Sequence, residues 1–562
     1  MIASGRVKIF SCIFLALFLA VAGRVFYLQI YRQTYYKKLS LQQIRQTSAL
    51  PAKRGNITDR NGILLASSID AYSVDVTCRE IADASSAAEQ LATALNLKKS
   101  EVLEQIKDKN RFIRLKRRIS AQEAEKIKNL KLSGVHLIHG QQRVYLRGQL
   151  ASSVLGFVDQ DDQGAGGLEI SQEKYLQGIP GELIIEKDLS GRELHVSDRI
   201  LKEARDGDNI TLTIDEFLQY TARKQLAAAL REERADSGSV IIMDTASGEI
   251  LAMVSLPDYD PARYFAYPPE NLRNSAIQTV YEPGSVFKLI TVAAALDSGL
   301  VTPGAVFVNG NTFAYAGQTI RESHTLKDPD RPRPLKEIIS ESLNISAAKL
   351  ALGLGKEKMR EYQERFQLNR RTGLELYGES AGLIKSLDRT VPLDLAVSGY
   401  GHGFSVTPLQ MLAAVNAIAN DGVYVQPKII RHISNNKGDL LKDFSQEISP
   451  RRIITPQTAW HIRAMMQECV QKGTGMLAGI PGYSIGGKTG TSQRVNPGGR
   501  GYLPGSYISS FAGIIPGNKP RLTILVVIDN PKKSYYGGYV AAPVFREIAK
   551  EAARYLAIPE DL

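Results

Sequence analysis

Three short polar strings in the second half of the chain restrict what it can fold into: Ser285-Val286-Phe287-Lys288, Ser342-Leu343-Asn344 and Lys488-Thr489-Gly490-Thr491. Ser285 follows Glu282-Pro283-Gly284 and opens an apolar run, Val286 to Leu296, that Gly299 ends. That punctuation predicts a helix with the serine at its first turn. Residues i and i+3 share a helix face, so Lys288 can reach the Ser285 hydroxyl. Ser342 follows an expected helix, Leu335 to Glu341. Gly486-Gly487-Lys488-Thr489-Gly490-Thr491 reads as a strand whose glycines mark a place where a ligand must approach the backbone. Helices inserted within a sheet, with a last helix (about Pro543 to Leu556) returning onto it, predict an α/β fold of two subdomains. The site would lie in the cleft between them.

These residue types suit acyl transfer. A serine hydroxyl is a poor nucleophile until a base takes its proton. A lysine can be that base only as a neutral amine, which burial and a second nearby cation both favour. Lys488 is the natural second cation. Ser342 can then relay a proton between the lysines and a leaving amine, and Asn344 can hydrogen-bond a substrate amide. The helix N-terminus offers a backbone N–H to an oxyanion. Lys488, Thr489 and Thr491 would meet a substrate carboxylate, and an edge strand there could take an extended peptide by strand addition. Ser-x-x-Lys also occurs at Ser171/Lys174, Ser346/Lys349 and Ser434/Lys437. Those copies lack the setting: Ser171 lies in a polar segment, Ser346 follows the Ser-x-Asn string, and Ser434 precedes a surface turn at Gly438.

At 562 residues the chain predicts two or three domains. A formal charge of +12 raises nucleic acid as a partner. The basic residues are scattered, no nucleic-acid fold signature is present, and Arg114-Leu115-Lys116-Arg117-Arg118 reads as a solvated face. Anionic lipid headgroups or wall polymers are the other acidic partners open to it. Of the three cysteines, Cys12 lies in an apolar N-terminal segment, while Cys78 and Cys469 read as unpaired thiols. The seven histidines show no ligand spacing with Cys, Asp or Glu, so no metal is expected.

Arg6 and Lys8 precede an apolar run, Ile9 to Ala22. Gly23-Arg24 interrupts it, and apolar residues resume to Tyr31. Val7 to Tyr31 is long enough to span a bilayer. The basic flank predicts a cytoplasmic N-terminus, with the rest of the chain exported. Ala20-Val21-Ala22 resembles a cleavage site, but the return of apolar residues after Arg24 favours an anchor. Arg24 within the span reads as a candidate contact site for another membrane protein.

Arg54-Gly55-Asn56-Ile57-Thr58-Asp59-Arg60-Asn61-Gly62 carries a hairpin tip at Asn61-Gly62. Glu80 to about Leu130 reads as helical, with a capping box at Ser120-Ala121-Gln122-Glu123. Ala151–Val158 and Glu182–Glu186 read as strands. This half pairs no nucleophile with a base and reads as an α+β spacer. Beyond it come a strand from Asn209, a helix from about Leu218 to Arg231, and a hairpin of Ser239–Met243 with Glu249–Val254. Further strands are expected at Ser509–Ile514 and Leu522–Ile528.

Ser-x-x-Lys, Ser-x-Asn and Lys-Thr-Gly, in this order, form the set shared by class A β-lactamases and penicillin-binding proteins, with Leu343 in place of the aspartate of Ser-Asp-Asn. With the anchor and the large spacer, the chain resembles a class B penicillin-binding protein of the FtsI type. The likeness extends to Arg54–Gly62, Gly167-Leu168-Glu169, Leu212-Thr213-Ile214-Asp215, Gly248–Met253, Tyr281–Ser285, Thr407-Pro408-Leu409-Gln410 and Tyr536-Gly537-Gly538. Lys488-Thr489-Gly490, and an ending soon after the catalytic fold, fit that type better than elongation or sporulation relatives. Leu146 after Tyr145 departs from the family habit of proline.

The resemblance implies a penicillin-recognising serine transpeptidase fold, α/β (α+β), at 211–562. Ahead of it would come an α+β pedestal of the dimerisation type at 37–210, and a cytoplasmic tail with transmembrane anchor at 1–36. It implies peptidoglycan D,D-transpeptidase activity at the septum of the inner membrane, with stem peptides as substrates. Ser285 attacks the penultimate D-alanine carbonyl, Ser285 and Thr491 N–H groups form the oxyanion hole, and Thr489, Gly490 and Thr491 bind the peptide end. β-Lactams acylate Ser285. No cofactor is needed, and an FtsW-type glycosyltransferase and other divisome membrane proteins are the expected partners. A β-lactamase, a D,D-carboxypeptidase, a β-lactam sensor or an inactive scaffold would share parts of this pattern. The anchor and spacer speak against the β-lactamase, the single short tail against the sensor, and two retained lysines against the scaffold.

Overall fold

The longest apolar strands of the chain lie in one antiparallel sheet of five. Across the sheet the order is Ile250–Leu256, Ser237–Asp244, Leu522–Asp529, Tyr502–Ile515 and Gly486–Val495. In this computed structural model, residues 2–187, 193–446, 449–496, 498 and 501–562 are described. Alternate side chains of a strand point to opposite faces, and here both faces are covered. Val240, Ile242 and Val526 pack against the helices Glu216–Glu233 and Ala542–Tyr555. Ile241, Met243 and Leu525 face a helical block that contains Lys288–Asp297, Asn344–Arg365, Pro408–Ala419 and Pro456–Lys472. Burial on both faces explains why Val240-Ile241-Ile242-Met243 is continuously apolar where a half-exposed strand would alternate. The hairpin of the first two strands, the helix expected near Leu218–Arg231 and the C-terminal helix all form as the sequence predicts.

A second sheet carries the first half. Ile57–Thr58, Leu64–Thr77, Phe112–Ile119 and Val135–Tyr145 join Asn209–Leu212, which in turn pairs with Ile430–Ser434 from the second half. Gly62, at φ +84°, makes the expected hairpin tip, and Asp59 accepts the Asn61 and Ile63 N–H groups beneath it. The capping box at Ser120 is present. Strands Arg45–Leu50, Gly181–Lys187 and Glu193–Lys202 form a separate three-stranded sheet.

Two expectations are corrected. Glu80–Leu130 is not helical throughout: helices Ala84–Leu95, Lys99–Ile106 and Ala121–Leu130 are interrupted by the strand Phe112–Ile119. Its inward residues, Leu115 and Ile119, are four apart, a spacing that an alternating strand shares with one face of a helix. Ala151–Val158 is not a strand but a short helix, Ser152–Leu155, ended by Gly156 at φ +76°. All four helix residues are buried, and a run buried on every side does not reveal its period.

Arg54 and Glu169, from two of the recognised boxes, meet in the pedestal. Glu169 is fully buried and takes Arg54 Nε and Arg143 Nε at 2.6 Å each. The Leu146 N–H donates to the Leu65 carbonyl at 2.9 Å, a bond that proline in its place could not make. Cys78 and Cys469 are buried, unpaired and in different cores. At the N-terminus the helix Ile2–Phe26 continues through a π-helical turn, Tyr27–Tyr31. Gly5–Tyr31 is apolar and long enough to cross a membrane, and its large side chains are exposed. The Arg24 guanidinium lies over the Tyr27 ring, 5.6 Å from its centre.

Candidate active site

Ser285 sits in a 3-10 turn, Gly284–Phe287, that feeds directly into the helix Lys288–Asp297. Gly284 has φ +55° and donates its N–H to the Gly401 carbonyl at 3.0 Å. A Cβ at 284 would stand 2.9 Å from the Thr491 carbonyl oxygen, and a Cβ at 401 would overlap the Gly284 carbonyl. Two glycines therefore press the serine turn onto the strand that carries Lys488 to Thr491. That strand is at the sheet edge, paired among the described residues only with Tyr502–Ile515. Its glycines serve the protein's own packing: a Cβ at 487 would strike the Phe511 ring, and one at 490 would strike Ser510 and come within 2.9 Å of Val286.

Both lysines are fully buried, and they meet at one oxygen. Lys288 Nζ bonds Ser342 Oγ at 3.2 Å, and Lys488 Nζ bonds the same Oγ at 2.9 Å. Lys288 also donates to the Ser342 carbonyl and to Asn344 Oδ1 (2.7 Å). Lys488 donates to the Thr489 carbonyl (3.0 Å) and Thr489 Oγ1 (3.2 Å). The resting Lys288 amine thus points to Ser342 and Asn344, and its three bonds leave the Ser285 hydroxyl out. Burial first, and the charge of Lys488 second, hold Lys288 well below the ordinary lysine value, against an opposing pull from Glu322. Burial brings Lys488 down to about 8.

Ser342 adopts φ +62°, an uncommon conformation for a residue with a side chain. Its loop is held from behind. Glu322 accepts the Asn344 N–H at 2.5 Å and the Ile345 N–H at 3.0 Å, capping the helix Asn344–Arg365, and it also accepts Asn309 Nδ2. Asn309 in turn bonds the buried Ser346 hydroxyl. Asn344 Nδ2 donates to the Arg321 carbonyl at 3.0 Å. On the strand, Thr489 Oγ1 pairs with Thr474 Oγ1 at 2.8 Å, and Thr491 Oγ1 accepts the Gly537 N–H at 3.1 Å. An oxygen that accepts from Gly537 keeps its own proton for a ligand.

All eight residues singled out in the sequence therefore lie on three elements that converge. Glu322, Asn309, Thr474 and Gly401 escaped notice, because a capping carboxylate or a supporting glycine carries no local signature. The other Ser-x-x-Lys copies lie elsewhere: Ser171 donates back to the Gly167 carbonyl, Ser346 bonds Asn309, and Ser434 ends a strand at a surface turn.

A penicillin-binding protein transpeptidase domain model matches residues 238–550, and a penicillin-binding protein dimerisation domain model matches residues 49–212. The chain belongs to the class B penicillin-binding proteins. It is 34% identical over 561 residues to the peptidoglycan D,D-transpeptidase FtsI of Escherichia coli K12, covering 98% of this chain and 92% of that protein. It is 32% identical to stage V sporulation protein D of Bacillus subtilis, over 96% and 84% of the two chains. Among solved structures, penicillin binding protein 3 of Mycobacterium tuberculosis complexed with aztreonam matches with a TM-score of 0.72 and 28% identity, covering 92% of this chain and 98% of that one. Penicillin binding protein 2X of Streptococcus thermophilus matches with a TM-score of 0.75 and 25% identity, over 91% and 81%. This penicillin-binding protein has the fold its sequence predicts: a pedestal of the dimerisation type, then a transpeptidase domain, behind one apolar N-terminal helix.

Proposed function

We propose that Ser285, Lys288, Ser342 and Lys488 carry out the peptidoglycan D,D-transpeptidase reaction of this chain. The observation that supports it is the single Ser342 oxygen bonded by two buried amines. A neutral amine has two N–H donors and one lone pair. The Ser342 carbonyl and Asn344 Oδ1 can only accept, so they take both N–H donors of Lys288. At rest the Lys288 lone pair meets the Ser342 hydroxyl; once Lys288 has taken a proton from Ser285, its third N–H donates to Ser342 Oγ, whose own proton is then free for the leaving nitrogen. Lys488, held at about 8, supplies positive charge on the far side.

In the first step Ser285 Oγ bonds to the penultimate D-alanine carbonyl carbon, and Lys288 takes its proton. The oxyanion rests on the Ser285 and Thr491 N–H groups. The proton passes through Ser342 to the leaving nitrogen, the peptide bond breaks, and D-alanine departs with its carboxylate released from Thr489, Gly490 and Thr491. Asn344 holds a substrate amide. An acceptor amine then attacks the acyl carbon, and Ser285 leaves with a proton. β-Lactams acylate the same oxygen.

The likeness to FtsI supports work at the division septum, beside an FtsW-type glycosyltransferase and other divisome membrane proteins. The protein is membrane-anchored, and the basic residues Arg6 and Lys8 support a cytoplasmic N-terminus with the catalytic domain outside. We divide the chain at 1–36, 37–210 and 211–562. The test supplies the purified full chain, in membranes, with uncross-linked glycan strands. D-Alanine release matched by cross-links, both stopped by penicillin, supports the reading. D-Alanine release without cross-links would make it a carboxypeptidase, and rapid release of opened penicillin would make it a β-lactamase.

A further inference from the structure

A cavity of about 590 Å³ opens beside the serine turn, and a buried carboxylate stands in its wall. Glu282, three residues before Ser285, is 5% exposed. Its Oε1 accepts the Gly403 N–H at 2.9 Å, and its Oε2 accepts the Tyr502 hydroxyl at 3.0 Å. The other groups packed around it are Tyr400 and His402, and burial holds His402 down at about 4, so that ring is neutral. Lys385 lines the same cavity, but its ammonium is paired with Asp394 at 2.7 Å. Among the described residues Glu282 has no cationic partner. Burial raises its carboxyl above the ordinary range, while Gly403 and Tyr502 pull it back. The rest of the wall includes Leu383, Phe404 and Val495, an apolar lining suited to an alkyl chain. Tyr502 and Val495 pair at the far end of the hairpin whose first strand carries Lys488, and Glu282 stands three residues before Ser285, so the cavity adjoins the serine turn.

A buried, unpaired carboxylate at the end of an apolar cavity is costly unless a ligand brings the cation. Transpeptidation brings one: the acceptor is an amine, which arrives in water as an ammonium. We propose that Glu282 and this cavity form the acceptor subsite, binding the primary ammonium at the end of an aliphatic side chain on a second stem peptide. The inference rests on the acyl-enzyme at Ser285. Glu282 takes one proton from the ammonium, which frees the nitrogen lone pair. The N–C bond to the acyl carbon forms, the C–Oγ bond to Ser285 breaks, and the second amine proton passes by way of Lys288 to Ser285 Oγ. Glu282 then loses its proton to solvent.

The test uses the full chain acylated by a thioester donor, with a stem tripeptide bearing a free side-chain amine as acceptor. The ratio of aminolysis to hydrolysis product comes from one acyl-enzyme, so any change in acylation cancels. Glu282→Gln should lower that ratio at least tenfold, and a ratio within twofold of wild type overturns the proposal. Should Glu282→Gln fail to fold, as its melting curve would show, Tyr502→Phe decides. That change removes a donor that holds the Glu282 pKa down, so the pH at which acceptor use rises should move upward. An unmoved profile overturns the proposal. A wild-type chain that forms no acyl-enzyme is a separate result, and overturns the Ser285 assignment beneath it.

Discussion

Replacing Ser342 by alanine should separate chemistry from stability. The hydroxyl accounts for one bond to each lysine, and neither amine is left alone without it. Lys288 keeps the Ser342 carbonyl and Asn344 Oδ1, and Lys488 keeps the Thr489 carbonyl and hydroxyl. A bond to a charged group contributes about 1.5–3 kcal/mol when its partner is otherwise orphaned, and less when partners remain. A loss of about 2 kcal/mol in stability is expected. The kinetic loss should be larger, because a positioned proton-transfer group contributes roughly 10²–10⁴-fold, or about 3–5 kcal/mol on the barrier. Ser342→Gly provides the control. It removes the same hydroxyl and also relieves φ +62°, which costs a side-chain residue about 1 kcal/mol or more. The glycine variant should be as slow as the alanine variant and no less stable. Stopped-flow acylation by a fluorescent penicillin, beside thermal melting, reads both quantities. Acylation within fivefold of wild type in Ser342→Ala would refute the relay.

Other outcomes follow from the same structure. Glu169→Ala leaves the buried Arg54 and Arg143 guanidiniums without their shared carboxylate, and should cost about 3–5 kcal/mol in denaturant unfolding while the folded fraction still acylates. Lys288 and Lys488 are held below the ordinary 10.5 in the fold, Lys488 at about 8. The unfolded chain therefore binds more protons between those values, and stability should climb as pH rises through that window. Lys488→Met should flatten the climb relative to wild type, and an unchanged slope in denaturant titrations would count against the assignment. Gly401→Ala places a methyl group on the Gly284 carbonyl at φ +82°, so the serine turn must move. Penicillin acylation should fall more than a hundredfold.

The three candidate strings were legible because the proposed chemistry demands rare neighbours: a serine at a helix start, a lysine one turn on, and a second lysine between glycines. The five-stranded sheet was legible from apolar runs such as Val240–Met243. What stayed hidden depends on contacts remote in sequence. Glu322 caps a helix that begins 22 residues later, and Thr474 reaches Thr489 from another element. The i, i+3 spacing suggested a reach from Lys288 to Ser285 and did not reveal that Ser342 and Asn344 hold its amine at rest. Glycines 487 and 490 looked like openings for a ligand and instead make room for Phe511, Ser510 and Val286. In the pedestal, the four-residue spacing of Leu115 and Ile119 fits a helix face as well as a strand.

Intact-mass measurement with penicillin, on the wild-type chain and on Ser285→Ala, tests the proposed nucleophile most directly. One covalent drug per wild-type molecule and none on the variant is the expected result. A variant that still gains the mass of the drug would place the reactive oxygen elsewhere and contradict the account.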